Sequence, residues 1–209
     1  MNCITSVAFR EPYIRHSHTQ EIRVKELCTD VDYEVYRDVL PIKHGGHVIG
    51  DGIIPHFQSS LYGFKPIAID RVRNYSKVIW FDPSVLPVTS PQILFDALDI
   101  HPIIVRPGEE PLAKMCNAKA KKWFGVTDSD IVNERTVAGT IYGFNFNNPK
   151  AVEVFELWKK AEEEGIFGNQ DAFMAGHWAD EACLSLAMHK LWVGKYWCEE
   201  FKYLNQKEL

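Results

Sequence analysis

The sequence predicts an α/β fold, a mostly parallel central sheet flanked by helices, in one domain spanning residues 1–209. Three observations predict it. Continuous apolar runs such as "KVIWF" (77–81) suit strands buried on both faces of a sheet. Stretches of helical length and pattern alternate with those runs. The 209 residues, 46% hydrophobic and 12% aromatic, are enough for one large core.

In chain order, "NCITSVAF" reads as a short buried strand, "HSHTQEIRVKELC" as a helix with Ile22 and Leu27 among its apolar positions, and "DYEVYRDV" as an alternating strand. The stretch "PIKHGGHVIGDGIIPH" (41–56), rich in glycine and histidine, reads as a surface loop. "KPIAIDRVRNY" makes an amphipathic helix leading into "KVIWF". "SPQILFDAL" reads as a helix with Ser90 as N-cap and proline at its first position, followed by strands in "HPIIVRP" and "GTIYGFNF". The helix "NPKAVEVFELWKKAEEEG" opens at Asn148 and Pro149 and ends at Gly165, and "DEACLSLAMHKLW" forms the last helix.

A net charge of −5 without a basic block excludes a nucleic-acid groove as the expected partner. No apolar run approaches the ~20 residues of a membrane span, and "MNCITSVAFREPY" lacks the apolar centre of a signal peptide, so a soluble, cytoplasmic protein is expected. Five scattered cysteines without a CxxC pair read as free thiols, several of them buried. The end "KYLNQKEL" carries no evident stop signal, which leaves room for excision from a longer multidomain protein.

The chemistry centres on Asp82, an acid directly after a buried strand, where open α/β sheets gather ligands. Two readings stand side by side: the carboxylate holds a divalent cation, or Asp82-Pro83 merely turns the chain. A literal DxD at Asp128-Ser129-Asp130 is explained as a helix N-cap cluster. His16, His18, His44, His47 and His56 could be imagined as a zinc cluster, but their spacing argues against it. Neither GxGxxG nor GxxxxGK[ST] occurs, which disfavours NAD-linked and P-loop functions.

Three segments in order, "TSVAFREPYIRHSHTQEIRVKEL", "KPIAIDRVRNYSKVIWFDPSVLPV" and "WADEACLSLAMHK", resemble the nucleotide-diphospho-sugar transferases of the GT-A fold, glycogenin-like and retaining. A further likeness is to the N-terminal domain of a chlorovirus glycosyltransferase. The resemblance implies a GT-A-like (Rossmann-like) domain that transfers a hexose-type sugar from a UDP-sugar donor to a carbohydrate acceptor. It implies Mn²⁺ or Mg²⁺ as cofactor, because a leaving diphosphate must be neutralised. Asp82 and Ser84 stand at the first and third positions of the family's DxD, and the serine departs from that pattern, so Asp82 is the metal ligand named, with the diphosphate and a further side chain expected to complete the shell.

By the same resemblance Thr5, Ser6 and Val7 would face the base and ribose, with Tyr13 stacked on uracil and Arg10 on a phosphate. Lys65 would reach the diphosphate or sugar, and Gly139 would let the backbone approach a sugar hydroxyl. Glu181 would stand beneath the anomeric carbon while Asp180 grips hydroxyls, with His177 and Trp178 adding a polar group and a stacking face. Plainer readings remain for each: Tyr13 a surface aromatic, Lys65 a solvated helix end, Gly139 a strand-start kink, Asp180 and Glu181 first-turn acids. Asp171 is the competing late acid. The alternative functions are a sugar-1-phosphate nucleotidyltransferase, whose glycine-rich basic signature "TSVAFREPY" lacks, and a non-catalytic sugar-nucleotide or glycan-binding domain.

Overall fold

A computed structural model describes residues 1–9, 11–37, 42–44, 47–49, 60, 62–168 and 176–208, with the backbone alone for 42–44 and 47–49. The apolar run of β1 (Asn2–Ala8) lies parallel to both β2 (Asp32–Arg37) and β5 (Lys77–Phe81). The sheet continues through β8 (Arg135–Asn145) to β7 (Ile103–Pro111), in the order β2-β1-β5-β8-β7. Only β8 runs against the rest, since it is antiparallel to both its neighbours. The mostly parallel sheet expected from the sequence is therefore present, with its one reversed strand beside β5.

Alternation along β5 sends Val78 and Trp80 into one apolar layer and Ile79 and Phe81 into the other. The first layer is covered by α2 (Phe64–Arg71), α5 (Ala118–Phe124), α6 (Pro149–Glu163) and α7 (Ala179–Lys190); the second by α1 (Tyr13–Leu27) and α3 (Gln92–Ile100). α6 begins as its sequence dictates: the Asn148 side chain accepts from the Lys150 N–H at 2.9 Å, and Pro149 follows. Ser90 takes the Gln92 N–H at 3.3 Å, close to its expected cap role, and also donates to the Leu27 carbonyl. All five cysteines are free and buried.

Several expectations need correction. Ile22 is 61% exposed, and α1 buries His16, Ser17, Gln20 and Val24 instead. The reason is that part of this face docks on a polar turn, with Gln20 donating to the Asp82 and Val85 carbonyls at 2.8 and 2.6 Å, while Val24 packs into the apolar layer. The stretch read as a loop contains a short antiparallel pair, β3 (Ile42–His44) and β4 (His47–Ile49). The helix before β5 stops at Arg71, short of the expected 75, because the chain turns through 72–76 to enter the strand. Missed altogether were the short α4 (Leu112–Met115), α5, and the pair β6 (Val85–Pro87) and β9 (Tyr203–Asn205). No helix follows Asp128-Ser129-Asp130: Asp130 accepts the Thr127 N–H and hydroxyl, both at 2.7 Å, and Asp128 pairs with Lys121, so these acids close a turn.

Candidate active site

β8 makes the site possible. Between the pairs Val105↔Tyr142 and Pro107↔Val137, β7 advances two residues while β8 spans five, so β8 bulges around residues 138–141. Bulges re-aim side chains and gather at functional sites. Gly139 sits in this bulge, and a Cβ there would lie 2.7 Å from both Glu181 Oε1 and Lys65 Nζ. Any larger residue there would push the Glu181 carboxylate or the Lys65 ammonium away from the strand.

The approach gathers one buried polar network. The Gly139 N–H donates to Glu181 Oε1 at 2.7 Å, and Lys65 Nζ donates to the Gly139 carbonyl at 2.9 Å. Lys65 also pairs with Asp180 Oδ2, which accepts the Tyr142 hydroxyl at 2.9 Å. Asp180 and Glu181, about 100° apart on α7, both close on Gly139, with Asp180 Oδ2 3.1 Å and Glu181 Oε1 2.7 Å from where a Cβ would stand. Burial pulls the Lys65 ammonium down, but the Asp180, Asp82 and Glu181 carboxylates together hold it above its usual range. Burial, reinforced by Asp180, pushes Glu181 up to about 7 and Tyr142 well above an ordinary phenol. Lys65 is thereby committed to Asp180 and Gly139, and its charge acts through them. Asp180 is 2% exposed. Its position is that of a group which fixes Lys65 and Tyr142.

Asp82 lies at the adjoining strand end, its N–H donating to the Thr140 carbonyl at 2.8 Å. Oδ1 accepts both the Ser84 N–H (2.9 Å) and the Ser84 hydroxyl (2.6 Å), a turn-closing arrangement. The Ser84 hydroxyl is therefore directed at Asp82. Oδ2 accepts no hydrogen bond among the described residues, and Asp82 opens on a cleft of about 100 Å³ lined also by Val7, Tyr13, Tyr62 and Lys207. Magnesium is commonly held by one or two carboxylates together with substrate phosphates. Asp82 Oδ2 could supply one carboxylate ligand to such an ion. Among the described residues no group of three or more His, Cys, Asp or Glu side chains could hold a metal.

Tyr13 is the first residue of α1, and Lys207 Nζ stands 5.2 Å from its ring centre. Tyr62, held at φ 59 where few side chains go, lines the cleft and lies 5.0 Å below Lys65 Nζ, so it joins cleft and network. Val7 lines the cleft, whereas Thr5 and Ser6 are fully buried behind it. His177 is corrected: it is fully buried, its ring bonded to the Ile166 carbonyl and the Asn117 N–H, and it acts in packing. Trp178 is 38% exposed at the start of α7. Arg10, Asp171, His56 and the side chains of His44 and His47 lie outside the described residues. Sequence reasoning missed Tyr142, Tyr62 and Lys207. Tyr142 could have been found from strand alternation two residues before the buried Phe144; Lys207 carries no local signal.

No protein-family model and no curated protein sequence matches the chain. Solved structures do. An active-site mutant of LgtC is 16% identical, with 95% of this chain and 72% of that one covered at a TM-score of 0.50. Mouse xyloside xylosyltransferase 1 is 10% identical over 90% of this chain and 82% of that one, at 0.51. The glycosyltransferase GlyE of Streptococcus pneumoniae TIGR4 is 12% identical over 95% of this chain but 45% of its own, at 0.52. At such identities the likeness shows architecture alone: the chain has the GT-A-like fold of these structures.

Proposed function

We propose that the chain is a metal-dependent glycosyltransferase that moves a hexose-type sugar from a UDP-sugar to a carbohydrate hydroxyl with retention of configuration. One observation supports it most: a cleft with Asp82, Tyr13 and Lys207 on its walls adjoins a glycine bulge that holds Glu181 by a 2.7 Å hydrogen bond. The names of the fold neighbours, glycosyltransferases among them, point the same way.

In this reading Tyr13 stacks on the base and Lys207 offsets phosphate charge at the cleft mouth. Asp82 Oδ2 would hold Mn²⁺ or Mg²⁺, which supplies the charge that lets the nucleoside diphosphate leave. Glu181, half-buried and fixed by the Gly139 N–H, faces the positive charge that develops at the anomeric carbon. Asp180, Lys65 and Tyr142 keep Glu181 and Gly139 in register. A second reading, a sugar-nucleotide-binding domain without turnover, draws on the Ser84 hydroxyl being spent on Asp82.

Calorimetric titration with UDP, with and without Mn²⁺, followed by donor hydrolysis across a set of nucleotide sugars, separates the two. Asp82→Asn retains the acceptor for Ser84 and is expected to keep the fold while losing Mn²⁺-dependent UDP binding. Undiminished metal-dependent binding in that variant would remove Asp82 from the site. Binding without hydrolysis or transfer would favour the second reading.

A further inference from the structure

Residues 182–188 of α7 are all buried, and all are apolar except Ser185. Serine is a poor choice for a helix interior, and a buried hydroxyl is penalised unless it is bonded. Ser185 is bonded twice. Its hydroxyl donates to the Glu181 carbonyl, one turn back, at 2.6 Å, and accepts the Val137 N–H of β8 at 2.9 Å.

The second bond falls where the β7–β8 ladder shifts register. Val137 stands opposite Pro107, which has no N–H to give, and the bulge follows it. Two residues on, the Gly139 N–H goes to the same helix, to Glu181 Oε1 at 2.7 Å. β8 thus gives the N–H groups of 137 and 139 to the side chains of 185 and 181. Two extended residues advance about 6.6 Å, and four helical residues rise about 6 Å. The spacings match, so both bonds form together in one register of α7 on β8. A slip of the helix by one residue would turn both side chains about 100° away from the strand. The remaining polar contacts of this turn fix Asp180: Lys65 and Tyr142 hold its carboxylate, and Trp158 Nε1 donates to its carbonyl at 3.0 Å.

We infer that Ser185 is the positioning residue for Glu181. Its two hydrogen bonds set the register of α7 against the β8 bulge, and that register brings the Glu181 carboxylate to the Gly139 N–H. What the carboxylate then does rests on the transferase reading; the register does not.

The test joins amide hydrogen exchange by NMR on the whole chain with kinetics on UDP-glucose and UDP-galactose. In Ser185→Ala the protection of Val137 and Gly139 should fall together about tenfold relative to Ile79 in β5. Donor turnover should fall about tenfold or more in kcat, the cost of a displaced group, with KM and UDP affinity within about twofold of the parent. Ser185→Thr keeps a hydroxyl that can reach the same carbonyl and should recover most of both. Leu184→Ala, an equally buried truncation on α7, should lower the melting temperature without separating Gly139 from Ile79. Loss of protection at Val137 alone, a Leu184→Ala effect at Gly139 as large as that of Ser185→Ala, or a threonine variant as poor as the alanine one each overturns the assignment. Should the parent turn over neither donor while Gly139 protection still depends on Ser185, the positioning role stands and the transferase reading falls.

Discussion

The two sides of the β8 bulge answer their charges differently. On one, Lys65, Asp180, Tyr142 and Gly139 satisfy one another in a buried network, so every charge there has its partner within the protein. On the other, Asp82, Lys207 and Tyr13 border an open cleft, the Lys207 ammonium lies over the Tyr13 ring, and Asp82 Oδ2 accepts no hydrogen bond among the described residues. Substitution on the first side should cost stability and on the second affinity, because a buried group left unpaired is penalised by desolvation and a solvated one is not. Glu181 belongs to both sides, bonded to Gly139 yet half-buried.

The largest effect should come from breaking the network. Lys65→Met leaves the Asp180 carboxylate buried without its cation, and removing one partner of such a pair costs about 3–5 kcal/mol. Urea denaturation should show that loss, and Lys65→Met with Asp180→Asn should recover a good part of it. A double variant no better than Lys65→Met would mean that the pair is not the coupled unit described here.

Next comes Glu181→Gln, expected to lower transfer about 10²-fold with UDP affinity kept, the size of one preorganised electrostatic group. The pH dependence has a definite sign. Burial and Asp180 raise Glu181 from 4.5 to about 7, so the folded state holds its proton more tightly than the unfolded chain does. The resulting stability is complete below about pH 4.5 and is lost as pH rises towards 7. Glu162, also raised to about 7 by burial, contributes in the same direction. Denaturation midpoints measured from pH 4.5 to 7.5 should flatten partly in Glu181→Gln and further with Glu162→Gln added. An unchanged slope in the double variant would place both carboxyls nearer their ordinary range.

Residues that announce themselves by local pattern were the legible ones. After Lys77, "VIWF" is apolar throughout because both faces of β5 are buried, and Asp82 stands out as the acid that ends it. Asn148-Pro149 marks a helix start by chemistry that any neighbouring fold must respect. The bulge left no such mark, for it arises from the mismatch of two strands paired across long separation. Lys207 is a charged residue brought to the cleft by Gln206, whose side-chain amide donates to the His16 and Pro83 carbonyls and whose N–H donates to the Ser84 carbonyl. α1 misled because a helix docked on exposed carbonyls buries glutamine and serine, and apolar periodicity then points to the wrong face.

On the open side, Tyr13→Ala should weaken UDP itself by about 1–3 kcal/mol, the worth of one base stacked on an aromatic ring, with little change in the denaturation midpoint. Calorimetry with UDP and with uridine distinguishes the ring from the phosphate contacts. If uridine binding is unaffected while UDP binding falls, Tyr13 acts by seating Lys207 beside the phosphates and does not carry the base.

The smallest effect belongs to Ser84, and it tests where the two sides meet. Its N–H and hydroxyl both bond Asp82 Oδ1, and the residue is 3% exposed. Removing the hydroxyl leaves the N–H in place, so Ser84→Ala should cost only about 0.5–1.5 kcal/mol of stability, one hydrogen bond's net share. If the hydroxyl is Asp82's partner and nothing more, Mn²⁺-dependent UDP binding in Ser84→Ala should stay within about threefold of the parent, because Oδ2 keeps its place on the same anchored turn. A metal ligand would behave otherwise: losing it would shift the Mn²⁺ midpoint about tenfold or more while stability barely moved. The two outcomes are opposite in both readouts. A large metal shift would mean that the hydroxyl turns from Asp82 to the ion on binding, and that the serine is itself a metal ligand.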